Sequence, residues 1–170
     1  MQKINPKIFK SYDIRGIYPD DLNEQTAYIA GQAYAQFTKV KKVVVGRDMR
    51  IGSPEIAKKF IEGVTSQGVN IDDIGIVPID AVYFATGHYK YDGGAMVTAS
   101  HNPKEYNGLK MIVLDNGISM VRGKELYEFL KDKEFTVAKQ PGKIQKKDIT
   151  NEYIDHVLSF TDVNVIKPFK

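Results

Sequence analysis

The sequence contains no cysteine and only three histidines, and both shortages limit its chemistry. Without cysteine, disulfide bonds, thiolate metal sites and cysteine nucleophiles are excluded. The histidines, at positions 88, 101 and 156, follow no metal-binding spacing, which argues against a histidine-rich metal site. The glycines form neither a Walker loop nor a dinucleotide fingerprint, so the sequence does not predict nucleotide binding.

The chain also lacks long apolar runs and a strong charge of either sign. No run approaches the roughly 20 apolar residues that span a bilayer, and no secretory signal marks the N-terminus. We therefore expect no membrane partner and a cytoplasmic location. The net charge of +3 is too small, and the basic residues too dispersed, to predict a nucleic-acid partner.

Strand and helix patterns alternate along the chain. Continuous apolar runs such as Val43-Val44-Val45 are typical of buried strands, and apolar residues three and four apart indicate helices. The fold class that this alternation predicts is α/β, a three-layer α/β/α sandwich with a mixed, mostly parallel sheet. The patterns predict helices over 23–39, 53–68, 81–88, 124–131 and from 150, and strands over 43–46, 71–77, 94–98 and 109–114.

Several boundaries of these elements are predicted from single residues. Ser53, Asp80 and Thr150 are expected to be N-caps, because each precedes a helical pattern and carries a side-chain acceptor. Asn107-Gly108 is expected to form a turn before the strand that starts at Leu109. Since the connection between the last two strands is short, that strand is expected to run antiparallel to its predecessor.

Ser100 is the first candidate for chemistry, because it follows an apolar strand at a break made by Asn102-Pro103. His101, Asn102 and Lys110 lie close by in the sequence, and together they suit a phosphate carried on Ser100, with about −1.5 to −2 charges at pH 7. The alternative is a turn serine that bonds its own backbone. A hydrolase triad fits less well, since the sequence has no G-x-S-x-G elbow.

Two arginines follow similar polar breaks. Arg15 lies in Tyr12-Asp13-Ile14-Arg15-Gly16 and is either an ion-pair partner of Asp13 or a fork for phosphate or sugar oxygens. Arg47-Asp48 follows the apolar run at 43–45, and here a structural role in tying the loop is favoured.

These segments resemble the N-terminal domain of the α-D-phosphohexomutases, the phosphomannomutase/phosphoglucomutase superfamily. The similarity lies in four motifs that keep the family order along the chain. They are Phe9 to Gly16, Val45-Gly46-Arg47-Asp48, Thr98 to Pro103, and Tyr106-Asn107-Gly108-Leu109-Lys110. The opening segment is similar to that of bacterial and archaeal phosphomannomutase/phosphoglucomutase enzymes, which favours mannose or glucose phosphates over glucosamine phosphate as substrates.

The resemblance implies an isomerase that interconverts hexose 1-phosphate and hexose 6-phosphate. Ser100 would carry a phosphoryl group, donate it to give a hexose bisphosphate, and take back the other phosphate. A Mg²⁺ ion would bind the phosphorylated Ser100 as one of its ligands. His101, Lys110 and Arg15 would be catalytic, positioning the phosphoryl group and helping proton transfer. Asn102 would orient the loop and Tyr12 would line the sugar cleft, so both are expected to contact substrate.

The resemblance also implies that further domains are needed. The acidic loop that supplies the other metal ligands in the family is absent from these 170 residues. We therefore expect residues 1–150 to be the first domain of a longer chain. Residues 151–170 would be a terminal helix and the start of a link to the second domain. The partners would be the remaining domains of the parent chain together with hexose phosphates and hexose bisphosphate. The fragment alone is expected to be nearly inactive.

Two other functions remain open from the sequence. The first is a phosphosugar-binding module without catalysis. The second, weaker alternative is a serine hydrolase that uses Ser100 and His101.

Overall fold

The computed structural model describes residues 4–167, and it contains five α-helices and seven strands within that range. The predicted terminal segment over 151–170 is described up to residue 167, and residues 168–170 lie outside the described part. The helices are α1 Glu24–Thr38, α2 Ser53–Thr65, α3 Ile79–His88, α4 Gly123–Leu130 and α5 Thr150–Leu158. The strands are β1 Ile14–Ile17, β2 Lys42–Arg47, β3 Asn70–Ile76, β4 Gly93–Val97, β5 Tyr106–Leu114, β6 Ile118–Met120 and β7 Ile144–Lys146.

The strands form one mixed sheet in the order β1-β5-β4-β2-β3-β7, with β6 paired to the far end of β5. The pairs β4–β2, β2–β3 and β3–β7 are parallel. The three pairs that involve β5 are antiparallel, which confirms the predicted direction of this strand. The sheet therefore changes from parallel to antiparallel pairing at β4, the strand that leads into Ser100.

Helices cover both faces of the sheet, which confirms the predicted fold class. On one face, the buried residues of α1, α2 and α4 form a core with Val43 and Val45 of β2. On the other face, α3 packs on Val44, which lies between Val43 and Val45 in β2, and on Met96 and Ile112. Successive strand side chains point to opposite faces, so a strand buried on both sides reads as a continuous apolar run.

Helices α1 and α2 lie against each other with their backbones close together. A Cβ atom on Gly31 would lie 2.4 Å from the carbonyl oxygen of Phe60, and one on Gly63 would lie 2.1 Å from that of Tyr28. Glycine is therefore required at both positions of this crossing.

The three N-caps proposed from the sequence were wrong, although α2 and α5 begin at the predicted residues, Ser53 and Thr150. Gly52, with φ of 81°, is the N-cap of α2, and Ser53 is the first helical residue. Pro78 and Ile149 hold the cap positions of α3 and α5, so that Asp80 and Thr150 fall inside those helices. Asn23 does cap α1, because its side chain accepts a hydrogen bond from the Thr26 amide.

The predicted turn at Asn107-Gly108 was also wrong, because β5 already begins at Tyr106. Asn107 and Gly108 pair with Gly16 and Arg15 of β1. Both residues are buried, and a Cβ atom on Gly108 would lie 2.5 Å from the carbonyl oxygen of Ile14. A local Asn-Gly preference for turns is overridden here by the packing of three adjacent strands.

Within residues 4–167, none of the helices combines the length and the apolar character needed to cross a membrane.

Candidate functional site

The candidate site lies where β2 and β4 end and beside the residues that lead into β1. Because β2 and β4 are parallel neighbours, their carboxyl ends share one edge of the sheet. The loop after β4, residues 98–105, contains Ser100, and we refer to it as the serine loop. The loop after β2 covers residues 48–52 and lies beside it. Tyr12 and Arg15 lie before and at the start of β1, where Arg15 pairs with Gly108 of β5, the strand between β1 and β4.

Ser100 is an exposed residue held in a left-handed backbone conformation, with φ of 57°. A residue other than glycine in this region costs roughly 1–2 kcal/mol, so the surrounding contacts must hold it there. Its amide donates a hydrogen bond of 2.9 Å to the Thr98 hydroxyl. Its Oγ atom lies 3.3 Å from Nδ1 of His101. The hydroxyl is thus within reach of solvent and of one imidazole nitrogen.

Arg15 joins the first motif of the chain to the serine loop. Its Nε donates to Asp13 at 2.8 Å, which is the ion pair considered from the sequence. One of its terminal nitrogens donates to Oδ1 of Asn102 at 2.5 Å. Asp13 is buried and the Arg15 side chain is 19% exposed, so this cation is held in a fixed position beside the loop.

Lys110 and Tyr12 lie with Arg15 around an open pocket of about 590 Å³. The lining of this pocket contains three cationic side chains, those of Lys10, Arg15 and Lys110, against the single carboxylate of Asp13. This excess of positive charge suits an anionic ligand. We refer to it as the cationic pocket.

The structure thus groups the predicted site residues in two neighbouring sets. Tyr12, Arg15 and Lys110 line the cationic pocket, whereas Ser100, His101 and Asn102 lie on the serine loop outside its lining. The hydrogen bond from Arg15 to Asn102 links the two sets. Lys10 was missed by the sequence reasoning, although its position inside the Phe9 to Gly16 motif could have indicated it.

Arg50 is the other residue that sequence reasoning missed. Its guanidinium donates to four main-chain carbonyl oxygens at or beside the serine loop: Ser100 at 2.5 Å, Asn102 at 2.6 Å, Pro103 at 2.8 Å and Tyr106 at 3.2 Å. Its side chain is 16% exposed. Main-chain carbonyls are present at every residue, so the contacts of Arg50 with this distant loop leave no side-chain pattern to detect.

A buried polar network holds Arg50 in place. Asp48 accepts hydrogen bonds from the Arg50 amide at 3.0 Å and from the Ser53 hydroxyl at 2.6 Å, and it lies 3.3 Å from Nε of Arg50. Asn107 donates to Ser53 at 3.0 Å and to the Ile51 carbonyl at 3.1 Å. These bonds confirm that Asp48 ties its loop, as the sequence predicted.

Tyr18 supports the same region from the side of β1. Its amide donates to the Glu105 carbonyl at 2.9 Å, and its ring lies directly against Gly52, where a Cβ atom would approach within 2.6 Å. Its hydroxyl donates to Glu24 at 2.6 Å. This hydrogen bond to a carboxylate, with burial adding to it, raises the pKa of Tyr18 from 10.0 to about 12.

The described residues do not form a magnesium site by themselves. Over positions 4–167, no group of three histidine, aspartate or glutamate side chains could hold a metal ion. Ser100 offers one hydroxyl oxygen, whereas Mg²⁺ requires six oxygen ligands in octahedral geometry. The remaining ligands expected from the resemblance are therefore not supplied by this part of the chain.

Fold and site together define an α/β/α domain that presents an exposed serine next to a cationic pocket. A sequence profile described as phosphoglucomutase/phosphomannomutase, alpha/beta/alpha domain I, matches residues 6–136. The chain belongs to this family and corresponds to its first domain, which confirms the resemblance drawn from the four motifs.

Individual relatives agree with the family assignment. A phosphomannomutase of Vibrio cholerae serotype O1 is 37% identical in an alignment 171 positions long, which covers 95% of this chain and 36% of the relative. A phosphomannomutase of Escherichia coli is 38% identical, and its alignment covers 95% of this chain and 37% of the relative. The chain therefore spans about a third of the length of these relatives.

A solved structure is similar as well. A phosphoglucomutase/phosphomannomutase family protein from Burkholderia thailandensis superposes with a TM-score of 0.78 at 30% sequence identity. The match covers 92% of this chain and 36% of that one.

Proposed function

We propose that this chain is the phosphoryl-carrying domain of a phosphohexomutase of the isomerase class, which interconverts hexose 1-phosphate and hexose 6-phosphate. The observation that carries the proposal is the exposed, conformationally restrained Ser100 beside the cationic pocket, linked to it by the Arg15–Asn102 hydrogen bond. The family membership and the phosphomannomutase relatives favour hexose phosphates as the substrate class.

In the proposed reaction, phosphorylated Ser100 transfers its phosphoryl group to a free hydroxyl of a hexose monophosphate. The bond between phosphorus and Oγ breaks, and a bond between phosphorus and the sugar oxygen forms. The proton of that hydroxyl is transferred to the departing Oγ, and His101, whose Nδ1 lies 3.3 Å from Oγ, is placed to relay it. The bisphosphate then reorients and returns its other phosphoryl group to Ser100, and the Oγ proton passes to the sugar oxygen that this group leaves.

The other predicted residues would position charge during this transfer. Phosphoryl transfer depends mainly on positioning and electrostatic stabilisation, which cationic side chains supply. Lys110 and Arg15 suit this role because they line the cationic pocket, while Tyr12 would contact the sugar and Asn102 would hold Arg15 against the loop. Bound Mg²⁺ would neutralise phosphoryl charge, with phosphorylated Ser100 as one ligand and the others from outside this chain.

The domain boundaries are part of the proposal. We propose residues 1–150 as the folded unit and residues 151–170 as the terminal helix and the start of the link to another domain. In support, α5 contains no buried residue and contacts α3 through Tyr153 and His156, whose rings lie 5.7 Å and 4.7 Å from that of Phe84. Hexose phosphates and the other domains of the parent chain are the proposed partners, and a cytoplasmic location stays a prediction.

The test is to localise phosphate after incubation of the full-length parent protein with glucose 1,6-bisphosphate and Mg²⁺. We expect intact mass and peptide mapping to find one phosphate on Ser100. Ser100→Ala should abolish the label, whereas Ser159→Ala, at an exposed serine beyond α5, should retain it. The 170-residue chain alone should not convert glucose 1-phosphate.

The other outcomes are equally informative. Turnover by the parent protein with an unmodified Ser100 would contradict the phosphoserine mechanism. Neither label nor turnover would favour the phosphosugar-binding module instead. Labelling of Ser100 by a serine-directed phosphonate would favour the hydrolase.

A further inference from the structure

Three carbonyl groups of the serine loop accept hydrogen bonds from the Arg50 guanidinium. These bonds fix the orientation of the peptide units, and therefore the direction in which the N–H group of each unit points. In a trans peptide, the N–H points opposite to the C=O of the same unit. The carbonyls of Ser100 and Pro103 accept from Arg50, so the N–H groups of His101 and Lys104 point away from it. Among the residues that the structure describes, neither of these two N–H groups has a hydrogen-bond acceptor.

We infer that Arg50 is a positioning residue for phosphoryl transfer, acting through the backbone of the serine loop. By binding the carbonyls, Arg50 holds Ser100 in its left-handed conformation and directs the amides of His101 and Lys104 toward a phosphate carried on Ser100. Between these two residues the Asn102 amide is bonded to the Ala99 carbonyl and Pro103 has no N–H, so His101 and Lys104 are the residues of this turn that would offer backbone donors to an anion. This inference rests on the proposed function, because it names the group that the amides would bind.

Arginine is suited to this role and lysine is not. The guanidinium carries five donors in a rigid planar fork, and here two of its nitrogens each serve two carbonyls. A lysine ammonium is a single point charge with three donors on one atom, so it cannot span four carbonyls. The Asp48 carboxylate, 3.3 Å from Nε of Arg50, fixes the plane of the fork.

We do not expect Arg50 to bind the phosphate directly, because its guanidinium donors are already bonded to the loop carbonyls and to Asp48. The three cations of the cationic pocket are Lys10, Arg15 and Lys110, and Arg50 is not part of that lining. Its contribution would therefore appear in the geometry of the loop amides rather than as a further charge in the pocket.

The experiment uses the ¹⁵N-labelled 170-residue chain, prepared with serine or with translationally incorporated phosphoserine at position 100. Arg50→Lys is compared with two controls. Arg122→Lys makes the same change at an exposed arginine that has one ion-pair partner, Glu125. Ser66→Ala removes a buried hydroxyl at the C-cap of α2, outside the network that holds Arg50, and keeps the guanidinium.

In the native chain and both controls, we expect phosphoserine to move the amide proton resonances of His101 and Lys104 downfield. In Arg50→Lys this shift should be reduced by at least about half, because the amides lose their fixed direction. Exchange of the Asn102 and Tyr106 amides, which bond carbonyls within the serine loop, should be at least about tenfold faster in Arg50→Lys without phosphate.

Two results would overturn the inference. One is an Arg50→Lys chain that keeps the native shifts and exchange rates. The other, which does not depend on any variant folding, is a native chain in which phosphoserine at position 100 leaves the His101 and Lys104 amides unmoved. Because the phosphate is installed during translation, both results stand even if the parent protein never phosphorylates Ser100.

Discussion

Replacing Gly108 with alanine is expected to destabilise the sheet at the point where it supports the site. Gly108 lies on β5 between β1 and β4, and its ideal Cβ atom would lie 2.5 Å from the carbonyl oxygen of Ile14 and 2.6 Å from that of Thr98. Ile14 belongs to the paired strand β1, and Thr98 directly follows β4 and donates its amide to the Gly108 carbonyl, so neither carbonyl can move away without disturbing backbone hydrogen bonds.

The magnitude follows from this double contact. Overpacking of a well-packed interior typically costs 1–3 kcal/mol, and we expect about 3 kcal/mol because backbone is met on both sides. For a domain of this size, each kcal/mol corresponds to roughly 2–4 °C, which gives a decrease in Tm of about 6–12 °C. The same displacement would shift Arg15, whose Cγ lies 3.3 Å from the added atom, and so weaken its bond to Asn102.

Thermal unfolding followed by far-ultraviolet circular dichroism measures the effect, and Gly87→Ala is the matched control. Gly87 lies in α3 with nothing within 4 Å of its ideal Cβ atom, so alanine should leave stability unchanged or raise it by about 0.5 kcal/mol. A Gly108→Ala chain that unfolds at the native temperature would show that the strands are not as close as described.

Two further predictions concern groups that support the site. Asn107→Ala removes a fully buried side chain that bonds Ser53 and two backbone groups, and it should cost about 2–3 kcal/mol; an unchanged urea midpoint would contradict this. Glu24→Gln should return the pKa of Tyr18 from about 12 toward 10.0, as measured by ultraviolet absorbance of tyrosinate. The folded state favours the neutral Tyr18 phenol, because its pKa is higher there than in the unfolded chain. The stability that this difference contributes is complete below pH 10 and is lost as the pH rises to about 12, and Glu24→Gln should remove this pH dependence.

The fold was predictable where burial decides the structure. Val43, Val44 and Val45 alternate between the two cores, and this demand for apolar residues on both faces is visible as an unbroken run. Helices α1 to α4 are visible for the same reason, since their buried residues recur along one face, whereas the apolar residues that predicted α5 are exposed.

Prediction failed where a polar residue has a partner that is distant in sequence. Ser53 looks like a helix cap, but its hydroxyl donates to Asp48 and accepts from Asn107, 54 residues away. Asn107-Gly108 looks like a turn because the pair favours turns in isolation, and only the three-strand packing shows why both residues belong in β5.

The sequence named several of the residues that the structure brings together at the candidate site, but not the contacts between them. Arg15 and Asn102 lie in separate sequence motifs, and the hydrogen bond between them joins residues 87 positions apart. It could be predicted only if the order of the strands in the sheet were known. Arg50 was missed because main-chain carbonyls are present at every residue, so nothing in the sequence distinguishes the four that it binds.

The register between β1 and β5 determines where the positive charge of Arg15 can lie. β1 is a four-residue strand at the edge of the sheet, with Ile14 fully buried and Arg15 opposite Gly108. A slip of one residue would turn Ile14 out to the pocket and force a guanidinium into the apolar core, which is far more costly than a few lost ladder bonds. Burial of Ile14 therefore also fixes the position of the Arg15 guanidinium. A strand pairing that misplaced this charge would expose Ile14, so hydrophobic burial alone disfavours it during folding.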